Sequence, residues 1–173
     1  MQQGLIQVYT GPGKGKTTAA TGLLVRALGQ ELKVLLVRFL KSESLPSGEL
    51  NILQGLPGLE IITAGVGGVE GRKRPEQIRQ NVAETFAMVR PKILAGDYDL
   101  VVLDEFNVVL GNGYLPLTDG LELLDQRPAT TELVLTGRNA PQEVIERADL
   151  VSMIQAEKHP FEQGILARAG IEY

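Results

Sequence analysis

The chain has 173 residues, 43% hydrophobic and 22% charged, the size and balance of one ordinary globular domain spanning residues 1–173. It has no cysteine, which excludes disulfides and thiolate metal sites, and seventeen basic against twenty-one acidic residues give a net charge of −4, which argues against charge-driven nucleic-acid binding. No apolar run of about 18 residues or more is present, and Met1-Gln2-Gln3-Gly4 lacks a signal-peptide shape, so a cytoplasmic protein with no membrane partner is expected.

The predicted elements alternate strand and helix. Leu5–Tyr9 reads as a first strand, followed by the glycine-rich turn Thr10-Gly11-Pro12-Gly13-Lys14-Gly15-Lys16-Thr17-Thr18 and a helix over Thr17–Gly29. Lys33–Leu40 is a near-continuous apolar strand of the kind buried on both faces. Lys41–Gly58, with its Ser, Pro and Gly, reads as an irregular excursion, Leu59–Thr63 as a short strand and Ala64–Pro75 as a glycine-rich loop. From Pro75, the residues Ile78, Val82, Phe86, Val89 and Ile93 recur at helical spacing, with Pro91 expected to kink the last turn. Leu100–Leu103 is a further buried strand, Thr118–Gln126 a helix with Thr118 as its N-cap, and Glu132–Thr136 a strand. Pro141–Ala148 is a helix and Leu150–Ile154 a final strand. This order predicts an α/β, three-layer fold of the P-loop NTPase kind, with a mostly parallel sheet of about six strands and helices on both faces. Ligands in such folds sit at the carboxyl ends of the strands.

The turn after the first strand has the context that a nucleotide-phosphate loop requires. Gly11, Gly13 and Gly15 permit a backbone closed to other residues and bring N–H groups to an anion, while the helix N-terminus adds partial positive charge. Thr10, Pro12, Lys14 and Thr18 complete the phosphate-binding candidates; Lys16 supplies a full charge to phosphate oxygens, and the Thr17 hydroxyl can ligate Mg²⁺. The usual pattern G-x-x-x-x-G-K-[ST] has glycine where this chain has Thr10, with Gly11 one residue further in.

Asp104 and Glu105 end the apolar strand Leu100–Leu103 on the same sheet edge, where one carboxylate can hold Mg²⁺ (or Mn²⁺) and its neighbour can ligate or act on water. Which of the two lies nearer the metal is open. The candidate catalytic residues are Lys16 and Glu105, and the candidate metal ligands Thr17, Asp104 and Glu105. Arg138, at the end of a strand, is a second phosphate or substrate contact or a turn residue. Arg26, nine residues after Thr17, contacts nucleotide or is a solvated helix residue, and Arg72-Lys73-Arg74 is a local phosphate contact or a solvated loop. The lone His159 is read as loop packing. These residues point to Mg-nucleotide binding without specifying which atom of ATP is attacked.

The chain as a whole resembles the ATP:corrinoid adenosyltransferase family. The resemblance rests on Val8–Ala20, Arg26-Ala27-Leu28-Gly29, Val37-Arg38-Phe39-Leu40-Lys41, Gly48-Glu49, Val101-Val102-Leu103-Asp104-Glu105 and Thr136-Gly137-Arg138-Asn139-Ala140-Pro141. It continues through Ala148-Asp149-Leu150-Val151, Lys158-His159-Pro160-Phe161-Glu162-Gln163-Gly164-Ile165 and the closing Gly170-Ile171-Glu172-Tyr173. It implies attack of a Co(I) corrinoid (cobalamin, cobinamide or cobyrinic acid a,c-diamide) on C5′ of ATP, releasing triphosphate, in adenosylcobalamin biosynthesis. It also implies a reductant for cobalt, a homodimer, Thr17 with Glu105 or Asp104 at the metal, and Arg26 seating the nucleotide; the family's loop shares Thr10. Two departures stand out. Family members usually carry a Phe-x-Trp pair after the third strand, where this chain reads Thr63-Ala64-Gly65-Val66-Gly67-Gly68-Val69-Glu70 and has no tryptophan, and Arg38 stands where glutamine is commoner. The alternative readings are an ATP- and corrinoid-binding paralogue acting as sensor or carrier, and a generic P-loop ATPase.

Overall fold

The computed structural model describes residues 3–41, 47–64 and 75–173. Six strands form one parallel sheet: β1 Ile6–Thr10, β2 Val34–Arg38, β3 Leu59–Thr63, β4 Leu100–Asp104, β5 Glu132–Thr136 and β6 Leu150–Met153, in the order β3-β2-β4-β5-β1-β6. The helices are α1 Lys16–Leu28, α2 Gly48–Leu53, α3 Pro75–Leu94, α4 Phe106–Gly111, α5 Leu117–Gln126 and α6 Gln142–Arg147, with a 3₁₀ turn at Pro160–Gln163. The predicted fold class holds: this is an α/β fold with a parallel sheet between two helical layers.

Every residue of β2 and of β4 is buried, as expected of central parallel strands packed on both faces. Alternation divides their side chains between two cores. Val34, Leu36, Leu100 and Val102 pack with Ala20, Leu24 and Ala27 of α1 and Leu53 of α2. Leu35, Val37, Val101 and Leu103 pack on the opposite face with the apolar stripes of α3, α4, α5 and α6. The stripe predicted for α3 is the buried one: Ile78, Val82, Phe86, Val89 and Ile93 are each at most 5% exposed. Phe106 anchors that core, its ring 5.2 Å from Phe39 and 6.1 Å from Phe86.

Several local expectations are corrected. The excursion Lys41–Gly58 contains α2, a single short helix whose Leu53 is buried under β2. A helix absent from the sequence reading, α4, begins directly after Glu105. Thr118 is not the cap of α5, which starts one residue earlier with Pro116 at the cap position. Pro91 stands in the last turn of α3, where the sequence reading put it, and the helix ends at Leu94 with Ala95 N–H donating to the Pro91 carbonyl at 3.0 Å. The residues Val66, Val69 and Arg72-Lys73-Arg74 of the predicted loop lie outside the described residues. No helix among the described residues is long and apolar enough to cross a membrane.

Candidate functional site

All six strands point their carboxyl ends the same way, so β1, β5, β4 and β2 deliver Thr10, Thr136, Asp104 and Arg38 side by side along one edge. The β1–α1 turn crosses that edge. Gly11 has φ 98° and Gly15 φ 118°, backbone conformations that favour glycine. The need at Gly13 is space: a Cβ there would lie 2.7 Å from the Gln155 backbone carbon, and Gly13 N–H donates to the Ile154 carbonyl at 2.8 Å. A Cβ on Gly11 would sit 2.4 Å from the same Ile154 oxygen. The segment after β6 therefore clamps the turn from one side, while Gly15 opens α1 with nothing within 4 Å of its added Cβ.

Lys16 is 9% exposed, and its ammonium donates to the carbonyls of Gly11 (2.7 Å) and Gly13 (2.6 Å). The side chain thus arches over its own loop. Burial pushes the Lys16 ammonium below its ordinary value, the nearby Arg138 charge adds to this, and Glu105 opposes it. Thr10 is buried and its hydroxyl accepts from Ala140 N–H at 3.3 Å.

A hydroxyl relay links site residues of α1, β4 and β5. Thr17 Oγ1 donates to Asp104 Oδ1 at 2.8 Å, and Thr136 Oγ1 donates to the same oxygen at 2.6 Å. The Thr136 hydroxyl in turn accepts from Glu105 N–H at 3.0 Å. Asp104 is 1% exposed, and its second oxygen, Oδ2, is buried without a hydrogen-bond partner. Such an orphan is uncommon in folded proteins and asks for a partner the protein does not supply. A divalent cation is one that fits, with Thr17 and Asp104 as hard oxygen donors. No cluster of three or more His, Cys, Asp or Glu among the described residues is placed to hold a metal, so any cation here would have to complete its shell with oxygens from elsewhere.

Glu105 caps α4 in a left-handed backbone conformation, φ 63°, sparsely populated for a residue with a side chain. Burial raises its carboxyl above the ordinary range, and the adjoining Asp104 carboxylate raises it further; Lys41, Lys16 and Arg138 pull it back. Lys41 Nζ stands 3.9 Å from Glu105 Oε1. Its neighbour Asn107, fully buried, spreads its amide over the carbonyls of Tyr9 (3.4 Å), Leu135 (3.5 Å) and Gly137 (3.3 Å), tying α4 to the ends of β1 and β5.

The chain matches the model of the family described as ATP:corrinoid adenosyltransferase BtuR/CobO/CobP over residues 2–173. The chain belongs to this family. It is similar to the corrinoid adenosyltransferase of Pseudomonas aeruginosa, 39% identical over 99% of this chain and 85% of that protein. The corrinoid adenosyltransferase of Escherichia coli strain K12 is 35% identical, and that of Salmonella typhimurium 34%, each over 99% of this chain and 87% of the relative.

The adenosyltransferase fold brings together most of the residues singled out from sequence: Thr10 to Thr18 in the turn, Asp104 and Glu105 beyond β4, and Arg138, whose charge is felt by both Lys16 and Glu105. Arg26 stands apart. It is exposed in the last turn of α1, roughly 13 Å along the helix axis from Thr17 by the usual rise, with its charge acting on Tyr9. Lys14 points away from the loop, donating to Glu172 Oε1 (2.6 Å) and the Ile171 carbonyl (3.1 Å) of the tail. Three features escaped sequence reading: the Thr136 hydroxyl, the Asn107 clamp and the backbone at Ile154 and Gln155. The first was within the quoted Thr136-Gly137-Arg138-Asn139 segment, but its role depends on β5 lying between β1 and β4.

Proposed function

We propose that this chain is an ATP:corrinoid adenosyltransferase, moving the 5′-deoxyadenosyl group of ATP to the Co(I) centre of a corrinoid in adenosylcobalamin biosynthesis. The observation that carries this is the family match over residues 2–173, which encloses both the phosphate turn and the Asp104 relay. In the reaction the cobalt electron pair forms a Co–C5′ bond, the C5′–O bond breaks, and the electrons leave on triphosphate; cobalt passes formally from Co(I) to Co(III). A separate reductant must supply the Co(I) state.

Cobalt is the nucleophile, so the chain's own work is to bind, orient and stabilise charge. The amides of Lys14–Thr18, the N-terminus of α1 and Lys16 would face the triphosphate, where charge grows as the C5′–O bond breaks, while Gly13 N–H is held by the Ile154 carbonyl. For Lys16 to reach it, its bonds to the Gly11 and Gly13 carbonyls must be exchanged for phosphate oxygens. Arg138, whose charge acts on Lys16, is read as a second contact for the same anion. Thr17 and Asp104 would hold Mg²⁺ or Mn²⁺, with Glu105 beside them; the bound cation would neutralise triphosphate charge. Asp104 is favoured as the nearer carboxylate because its Oδ1 already meets Thr17 and its Oδ2 is bare.

A homodimer and a cytoplasmic location belong to the same reading. The exposed Leu150, Val151 and Met153 of edge strand β6 offer apolar surface that a second copy would cover.

The test is anaerobic incubation with Mg-ATP and chemically reduced cobalamin, followed by visible spectroscopy. A light-sensitive cobalt–carbon product is expected. ATP binding without alkylation would point instead to a sensor or carrier, and cobalt-independent release of ADP to a simple ATPase.

A further inference from the structure

Arg38 closes β2 immediately beside Asp104, its register partner on β4. It shares the alternation of Leu36, and Asp104 that of Val102, so both side chains face α1 and α2 rather than the α3 layer. Arg38 is 6% exposed, and its Nη1 is buried with no hydrogen-bond partner. Asp104 Oδ2 has the same status. Both residues line one small cavity of about 10 Å³, roughly room for a single water or ion, together with Thr17, Thr21, Glu49 and Leu50. A buried donor of positive charge and a buried acceptor of negative charge thus share a cavity without bonding to each other.

The lateral order along the sheet edge limits what Arg38 can do. Asp104 lies between Arg38 on β2 and the phosphate turn, which follows β1 beyond β5. The guanidinium therefore lies on the β2 side of Asp104, in the cavity it shares with Thr17, and acts first on the carboxylate and on whatever occupies its free oxygen. A divalent cation entering alone would meet the like charge of the buried guanidinium across the cavity, where Asp104 and the half-buried Glu49 are the carboxylates that face it. A cation arriving already bound to triphosphate brings compensating negative charge.

We propose that Arg38 suppresses the binding of free divalent metal at Asp104, so that metal enters this site with the nucleotide and not before it. The inference rests on the reading of Thr17 and Asp104 as metal ligands. The experiment titrates Mn²⁺ into the nucleotide-free full chain, counting free Mn²⁺ by its electron paramagnetic resonance signal. Arg38→Gln should bind Mn²⁺ at least about tenfold more tightly than the unaltered chain, while Arg38→Lys, which keeps the charge, should stay within about twofold of it. Asp104→Asn added to Arg38→Gln should remove the gain. Far-UV circular dichroism verifies folding, and Arg38→Met replaces the glutamine variant if that one unfolds. Unchanged or weaker Mn²⁺ binding in the uncharged variant overturns the proposal, as does a lysine variant that binds as tightly as the glutamine one. Mn²⁺ binding in the presence of ATP separates the two readings. If it depends on Asp104 while Arg38→Gln changes nothing in the nucleotide-free chain, the metal site stands and the role of Arg38 falls. If it ignores Asp104→Asn, both fall.

Discussion

Glu105 is held in a left-handed backbone conformation and its carboxyl is raised by burial first and by Asp104 second. Because the folded-state value lies above the ordinary 4.5, the charged form is disfavoured by folding. The corresponding stability is fully present below about 4.5 and is lost as pH rises through the folded value. Glu105→Gln, a neutral mimic, should therefore raise Tm relative to the parent at pH 8 and have a smaller effect at pH 4; thermal melts at the two values check this. A constant difference across pH would show that ionisation is not its source. Thr136 offers a second residue-scale prediction. Thr136→Val preserves shape but removes the donor to Asp104 and the acceptor for Glu105 N–H. Unpairing such buried groups costs about 1–3 kcal/mol, measurable by denaturant unfolding, and adenosyl transfer should fall with it because Asp104 loses one of its two fixed hydrogen bonds.

At the scale of elements, the strands and the phosphate turn were legible for different reasons. The strands β2 and β4 read as continuous apolar runs because both faces are covered, and the β1–α1 turn because its glycines meet demands of φ and space that few other residues satisfy. The short α2 and α4 were not legible: each has six residues, too few for a periodic stripe, and neither has a side-chain cap. What sets α4 is tertiary, the Asn107 amide facing the carbonyls of Tyr9 on β1, Leu135 on β5 and Gly137 just beyond it, and the Phe106 ring packed with Phe39 and Phe86. Phe106→Ala should accordingly cost about 3–5 kcal/mol, read as a lower denaturant midpoint. A loss below about 1 kcal/mol would mean that the aromatic cluster can close over the gap, contrary to the packing argument.

For the whole molecule, the site is made by topology that the sequence does not display. The strand carrying the phosphate turn and the strand carrying Asp104 are not neighbours; β5 lies between them and Thr136 bridges the two. The tail contributes in the same long-range manner, bringing Glu172 to Lys14 across 158 positions. Glu172, held down to about 2 chiefly by its hydrogen bond from Arg168 and then by that from Lys14, remains ionised through the neutral range. Sequence motifs singled out the candidate residues of the nucleotide site, but their partnerships required the fold. The central claim is that this assembly stabilises an intact triphosphate leaving group. Phosphorus NMR of an anaerobic reaction with Mg-ATP and reduced cobalamin tests it most directly: one inorganic triphosphate should appear for each adenosylated cobalt. ADP and orthophosphate in its place, with no alkylated cobalt, would contradict the account.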